Sequence, residues 1–220
     1  MSVNTQETKH PKTADYEADN KDFNDAMTKA RGDIDAAAAE VNKLRAEMKT
    51  QAAGAKAKTM AQLEEASRKL DATRTQQQTL IEARLKQLHV TIDSATRDLK
   101  HATAERRSAI EVEVKAAREQ YASARSALTE CLEAELTEWK ARINTAATLA
   151  AESKATAKTV IETKIAGLLA KQEAGQKKLL ALKGTGEAAF SEMQTAAKTA
   201  IAELKTAYEH ALAHFTSAAS

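Results

Sequence analysis

Residues 88–150 read LHVTIDSATRDLKHATAERRSAIEVEVKAAREQYASARSALTECLEAELTEWKARINTAATLA. Apolar side chains recur at Leu88, Ile92, Ala95, Leu99, Ala102, Ile110, Val114, Ala117, Tyr121, Ala124, Leu128, Leu132, Leu136, Trp139, Ile143, Ala146 and Ala150. With Arg106 filling the one gap, every step is three or four residues, which places these side chains on one face of a helix. A charged side chain at such a place can lie along the face with its head in water. The mean step is about 3.65 residues, nearer the 3.6 of a straight helix than the 3.5 of a left-handed coiled coil. A strict two-stranded zipper over the whole length is therefore disfavoured. The face continues less cleanly through Val160, Ile161, Ile165, Leu168, Leu169, Leu179 and Leu182, so residues 88–183 read as one long amphipathic helix.

The rest of the chain shares the composition that makes this possible. Of 220 residues only one is Pro (Pro11) and six are Gly, so little interrupts helix. Ala, Leu, Lys, Glu and Gln, which lose least on entering a helix, dominate. Aromatics are 3% of residues and many stripe positions are Ala. Such a core is a thin seam, because burial contributes about 0.8 kcal/mol per CH₂ and Ala has little to bury. Charge is dense but balanced, 33 basic against 31 acidic residues. Basic clusters with interleaved aromatics are absent, which disfavours a nucleic-acid partner.

Working towards the N-terminus, Leu80, Ile81 and Leu85 extend the seam, whereas Thr73–Thr79 has no apolar side. That segment reads as a weakly tethered helix or an unrecognised turn. Met60, Leu63, Ala66 and Leu70 form a sparse stripe after an Ala/Lys-rich run at 51–59. Phe23, Met27, Ala30, Ile34, Ala37, Val41, Leu44 and Met48 alternate by four and three, the heptad pattern. Gly32 lies in phase with it and reads as a mid-helix glycine, a cost of about 1 kcal/mol. Residues 1–15 are polar, aperiodic and read as a disordered tail. A reversal is preferred at residues 89–94, where β-branched Val90, Thr91 and Ile92 precede the N-cap types Asp93 and Ser94; the segment lacks Gly, and continuous helix is the alternative.

Towards the C-terminus, Lys183-Gly184-Thr185-Gly186 is a helix stop and turn. Beyond it Phe190, Met193, Ala197, Ile201, Leu204, Tyr208, Ala211 and Phe215 form the sharpest stripe in the chain. The expected fold is all-α, an elongated antiparallel hairpin or coiled coil with arms 18–88 and 92–183, inside a unit spanning 16–183. A Gly turn at 184–186 and a third amphipathic helix within 187–220 close one end.

Residues able to do chemistry are few. His210 and His214 have the i, i+4 spacing of a metal pair but no third ligand near in sequence. His89 and His101 read as surface residues. Glu130, Glu133, Glu135 and Glu138 read as a solvated helical face, and Cys131 as a seam residue beside Leu128 and Leu132. No phosphate loop, nucleophile elbow or paired-Cys motif occurs. No catalytic residue, metal or cofactor is assigned. The residues assigned a role are seam anchors (Leu128, Leu132, Leu136, Trp139, Ile143) and an interaction face (Phe190, Met193, Ala197, Ile201, Leu204, Tyr208, Phe215).

Glu135-Leu136-Thr137-Glu138-Trp139-Lys140-Ala141-Arg142-Ile143 and Gly186-Glu187-Ala188-Ala189-Phe190-Ser191-Glu192-Met193 resemble bacterial coiled-coil stress-response proteins. In that family a Gly is followed by an aromatic, usually Trp, and a final amphipathic helix ending in an aromatic. Gly186, Phe190 and Phe215 hold those places, with Phe190 departing from the usual Trp. The resemblance covers residues 133–217 and implies a soluble bacterial helical protein, without implying a catalytic residue. The expectation is a cytoplasmic, non-enzymatic scaffold that associates with itself or with a helical partner. The alternative is an amphipathic protein of lipid or hydrophobic-granule surfaces, similar in style to phasin-like and apolipoprotein-like proteins.

Overall fold

A computed structural model describes the backbone of residues 13–51, 53–151 and 155–218, and the side chains of 19–51, 55–56, 58–148 and 158–212. Among these residues the chain is all-α. It forms α1 (Thr13–Thr50), α2 (Ala53–Leu99), α3 (Ala104–Ala151), α4 (Ala155–Gly184) and α5 (Phe190–Ala218), with one 3-10 turn at Glu187–Ala189. Residues 1–12 of the expected tail lie outside the described residues, and Thr13–Asp15 already belong to α1.

The two expected arms are each divided. α1 runs through Gly32 without interruption, with Met27, Ala30, Val41, Leu44 and Met48 buried along its heptad face. The chain then bends at Gln51, inside the Ala/Lys run that lacks large apolar side chains. Such a run anchors nothing along a straight path. Reversing there closes Val41, Leu44 and Met48 onto Met60, Leu63, Ala66 and Leu70. Ala52 lies outside the described residues. Thr73–Thr79 is helix, not a turn. Its threonine hydroxyls donate to carbonyls four residues back (Thr73 to Lys69, 2.8 Å; Thr75 to Asp71, 2.9 Å; Thr79 to Thr75, 2.8 Å).

The expected reversal at 89–94 is incorrect. α2 continues to Leu99, and the chain turns at Lys100–Thr103, where Lys100 N–H donates to the Arg97 carbonyl (3.2 Å) and His101 N–H to that of Asp98 (3.0 Å). Ile92 is held in the helix by packing on Leu88 and Ala117, which overrides the weak helix preference of its β-branched neighbours. Arg97 in the last turn of α2 and Glu105 in the first turn of α3 mark the real boundary, each placed to complement its helix dipole. Arg106 is exposed in the first turn of α3 rather than part of a continuous seam. The 88–183 stripe is cut a second time between Ala151 and Ala155, where Leu149 is the one large aliphatic between Ile143 and Val160. Residues 152–154 lie outside the described residues.

Successive helices reverse direction and pack together, and α5 also packs on α3. One main core joins Met27 of α1, Ile81 and Leu85 of α2, Leu128–Ala146 of α3, Ile161–Leu182 of α4 and Phe190–Ala211 of α5. Two further clusters hold α2 and α3 residues alone: Leu88, Ile92 and Ala117, then Ala95, Ile110 and Val114. The α4–α5 connection passes through Thr185 and Gly186, with Gly186 in extended backbone (φ −69°, ψ 171°). No described glycine has positive φ, so neither Gly184 nor Gly186 uses the left-handed region.

Candidate functional site, a charged layer inside the bundle

α3 is the central helix, touching α2, α4 and α5 and receiving Arg45 from α1. A helix so surrounded buries a wider arc than a single stripe, so polar residues flanking the stripe enter the interior. Glu138 does so. Expected on a solvated face with Glu130, Glu133 and Glu135, it is buried at 8% exposure; Glu130 and Glu133 are exposed and Glu135 is half-buried.

Arg45 grips Glu138 through both terminal nitrogens, with Nη1 donating to Oε2 at 3.1 Å and Nη2 pairing with Oε1. Arg142, one turn along α3, donates from Nε to Glu138 Oε1 (3.2 Å). It also donates from Nη1 and Nη2 to the two oxygens of Asp71 (2.9 and 2.6 Å), and from Nη2 to the Ser67 carbonyl (3.1 Å). This is the bidentate geometry in which arginine holds a carboxylate most firmly. The Arg142 guanidinium also lies 4.2 Å over the Trp139 ring, and Tyr208 meets that ring edge-on at 5.4 Å. Tyr208 of α5 donates to Glu64 of α2 (3.0 Å), and Gln78 of α2 to Glu135 of α3 (2.7 Å). Side chains from α1, α2, α3 and α5 thus converge on one charged layer.

Burial works against the ionised forms of Glu138, Glu64 and Arg74. At Glu138 it is outweighed by Arg45 and Arg142, which hold the carboxyl below the usual carboxylate range. At Glu64 burial wins over the Tyr208 bond and the nearby Arg142 and Arg68, and the carboxyl is raised. Arg74 is lowered by burial despite Glu138, Glu135 and Asp71. The layer is incompletely satisfied: Arg45 Nε, Ser67 Oγ, Arg74 Nε and Nη1, and Trp139 Nε1 are buried without a hydrogen-bond partner among the described residues. Each such group carries a desolvation cost of about 1–3 kcal/mol.

The two predicted residue sets meet in the main core. Leu128, Leu132, Leu136, Trp139 and Ile143 pack in one cluster with Phe190, Ala197, Ile201, Leu204 and Tyr208, and Met193 is half-buried against it. The residues read as an interaction face therefore pack within the chain, where α5 lies on α4 and α3. The side chain of Phe215 lies outside the described residues. Arg125 caps the stripe, 4.2 Å over the Phe190 ring, and donates to the Thr185 carbonyl (2.6 Å).

Reactive groups are muted. Cys131 is buried, and burial pushes its thiol up to about 11, against the opposing bond from Gln78. A thiol so protonated at neutral pH is a poor nucleophile. His210 and His101 are exposed, His89 lies 3.4 Å from Asp93, and the His214 side chain lies outside the described residues. Among the described residues no three His, Cys, Asp or Glu are grouped to hold a metal. None of their helices is long and apolar enough to cross a membrane. An open groove of about 500 Å³ lies between α1 and α2, lined by Ala37, Leu44, Ala61 and Ala66 with Glu40, Glu65, Lys58 and Lys69.

The sequence reading missed Arg45, Glu64, Asp71, Arg74, Gln78 and Arg142. Two signals were present: the apolar gap at Thr73–Thr79, and the Glu138/Arg142 pair at i, i+4 flanking the only Trp. No family model, curated protein or solved structure matches the chain.

Proposed function

We propose that this chain is a non-enzymatic helical scaffold, a bundle that acts by assembling with a second copy or with a helical partner as an oligomeric coiled coil. The observation that carries this reading is the internal use of the Phe190–Ala211 stripe: with that face buried in the chain's own core, what a partner meets is the outer surface of the helices. Open grooves such as the one between α1 and α2 suit a binding role. The resemblance of residues 133–217 to bacterial coiled-coil stress-response proteins supports the same reading and suggests accumulation under stress.

A second reading, a bundle that opens onto a lipid or granule surface, is favoured by the unpartnered polar atoms of Ser67, Arg74 and Trp139, which gain water when the helices separate. Flotation of the full chain with neutral and with anionic liposomes, read with far-UV circular dichroism, separates the two. The scaffold reading expects protein left unbound with its helix content unchanged. Co-flotation with rearranged helix overturns it in favour of the surface-binding reading.

A further inference from the structure

The apolar seams of this chain repeat every seven residues and carry little that is individual. On α1, Phe23, Ala30, Ala37 and Leu44 form one row, and Met27, Ile34, Val41 and Met48 the other. A slide of one heptad along α2 therefore lays the same kind of side chain on the same face. Leu85, Ile92 and Leu99 of α2 repeat in the same way, as do Ile110, Ala117 and Ala124 of α3. The α1–α2 turn does little to prevent a slide, since the Ala/Lys run at 51–59 holds no large apolar side chain to fix where the reversal falls.

The charged layer does not repeat. Antiparallel α2 and α3 set Asp71 against Arg142 and Gln78 against Glu135, two contacts with one offset. Slid by seven residues one way, Arg142 comes opposite Gln78 and Glu135 opposite Leu85. Slid the other way, Arg142 meets Glu64, but Glu135 is set against Asp71, like charge on like. α1 is placed as strictly: Arg45 reaches Glu138, and a heptad slide brings Ala38 or Ala52 to its position. Each slide leaves a charge of the layer unpaired or facing its like. A buried polar contact fixes register in coiled coils in this way, with some loss of stability. The unpartnered nitrogens of Arg45 and Arg74 among the described residues fit such a role, because the layer is not the most stable filling of its space.

We propose that the charged layer is a register lock, in which Arg45, Asp71, Glu138 and Arg142 select one alignment of α1, α2 and α3 among several that the apolar seams accept. The seams supply stability, and the layer chooses. This goes beyond the scaffold reading and does not depend on it, because every contact of the layer lies within one chain.

Intramolecular disulfide trapping in dilute full chain, with Cys131→Ala throughout, reads the register. Gln87 Nε2 donates to Asp19 Oδ2 at 2.9 Å and both side chains are exposed, so Asp19→Cys with Gln87→Cys reports the observed alignment. Asp19→Cys with Leu80→Cys, or with Ser94→Cys, lies one heptad to either side and reports the two slides of α1. With the layer intact the first pair is expected to close at least about tenfold more than either other. With Arg45→Met and Glu138→Leu, a slid pair is expected to rise to within about threefold of it, because a seam of apolar side chains loses uniqueness before stability. Adding Asp71→Leu and Arg142→Met is expected to leave the melting temperature no lower than that of the wild type. Trapping confined to positions 19 and 87 in both variants would show that the seams set the register by themselves, and overturns the proposal. Loss of helix by circular dichroism in either variant overturns it too, since the layer would then carry the fold rather than its alignment.

Discussion

α2 and α3 run side by side through two very different surroundings. At the level of Asp71 and Arg142 they are joined by α1 and α5, and Trp139, Ile143 and Leu70 are almost wholly shielded. At the level of Ala95, Ile110 and Val114 the cluster holds only α2 and α3 residues among those described, and Val90 and Val112 stand 60% and 68% exposed. The stripe that leads from one level to the other is of similar quality in sequence. What differs is how many helices it meets, and that number decides whether charge can be buried. Four helices enclose a layer that desolvates Glu138 and Arg142; two cannot.

Paired substitutions sharpen this contrast. Arg142→Ala leaves half-buried Asp71 without its cation and is expected to destabilise the chain by about 3 kcal/mol, the low end of the cost of breaking a buried pair. Ile110→Ala, in the two-helix level, is expected to cost about 2 kcal/mol or less, at the low end for such truncations because the site can collapse. Urea denaturation followed by Trp139 fluorescence gives the first, and amide exchange confined to residues 95–114 gives the second. Equal global effects from the two substitutions would show that the levels unfold as one unit.

Glycine makes the same point at smaller scale. A Cβ placed on Gly175 comes 2.9 Å from Leu136 Cδ2, a buried side chain at the α3–α4 contact. Gly175→Ala is therefore expected to destabilise by about 1–3 kcal/mol through overpacking. A Cβ on Gly32 meets nothing, and Gly32→Ala is expected to stabilise by about 1 kcal/mol through helix propensity alone. Thermal melts of the two variants should move in opposite directions, and a shared sign would mean that Leu136 moves aside without cost.

These cases show what the sequence could and could not convey. All-α class, the heptad face of α1 and the buried stripe of α5 follow from local periodicity, which each helix carries by itself. The reversal at Lys100–Thr103 was hidden because Ala102 and Arg106 keep the three-four spacing across a turn. The marks that count there are charges, Arg97 before the turn and Glu105 after it. The breaks near residues 52 and 152–154 fall in Ala-rich runs, where a stripe of small side chains specifies no partner. The charged layer was least legible, since Arg45, Asp71 and Glu138 are 26 to 93 residues apart and each reads as solvated until the helices are assembled. Conversely, the polar gap at Thr73–Thr79 was visible, and its meaning lay in Arg74 and Gln78 facing α3.

The smallest effect tests the layer from within. Glu138 and Glu64 lie in it together with their titrations displaced in opposite directions. A depressed carboxyl contributes stability above its unfolded pKa and loses it as pH falls through the folded value, so Glu138 stabilises at neutral pH. A raised carboxyl does the reverse: Glu64 opposes folding at neutral pH, and the penalty is relieved as acid protonates it. Gln at position 64 keeps an oxygen to accept the Tyr208 hydroxyl and removes the charge. Glu64→Gln is therefore expected to stabilise slightly at neutral pH, by less than Gly32→Ala, with the gain vanishing in acid. Glu138→Gln is expected to lose stability at neutral pH, and its deficit should shrink in acid. Denaturant midpoints measured from neutral pH down through the carboxylate range read both slopes. Parallel slopes would mean that water reaches Glu64, and that the layer is drier around Arg142 than around Tyr208.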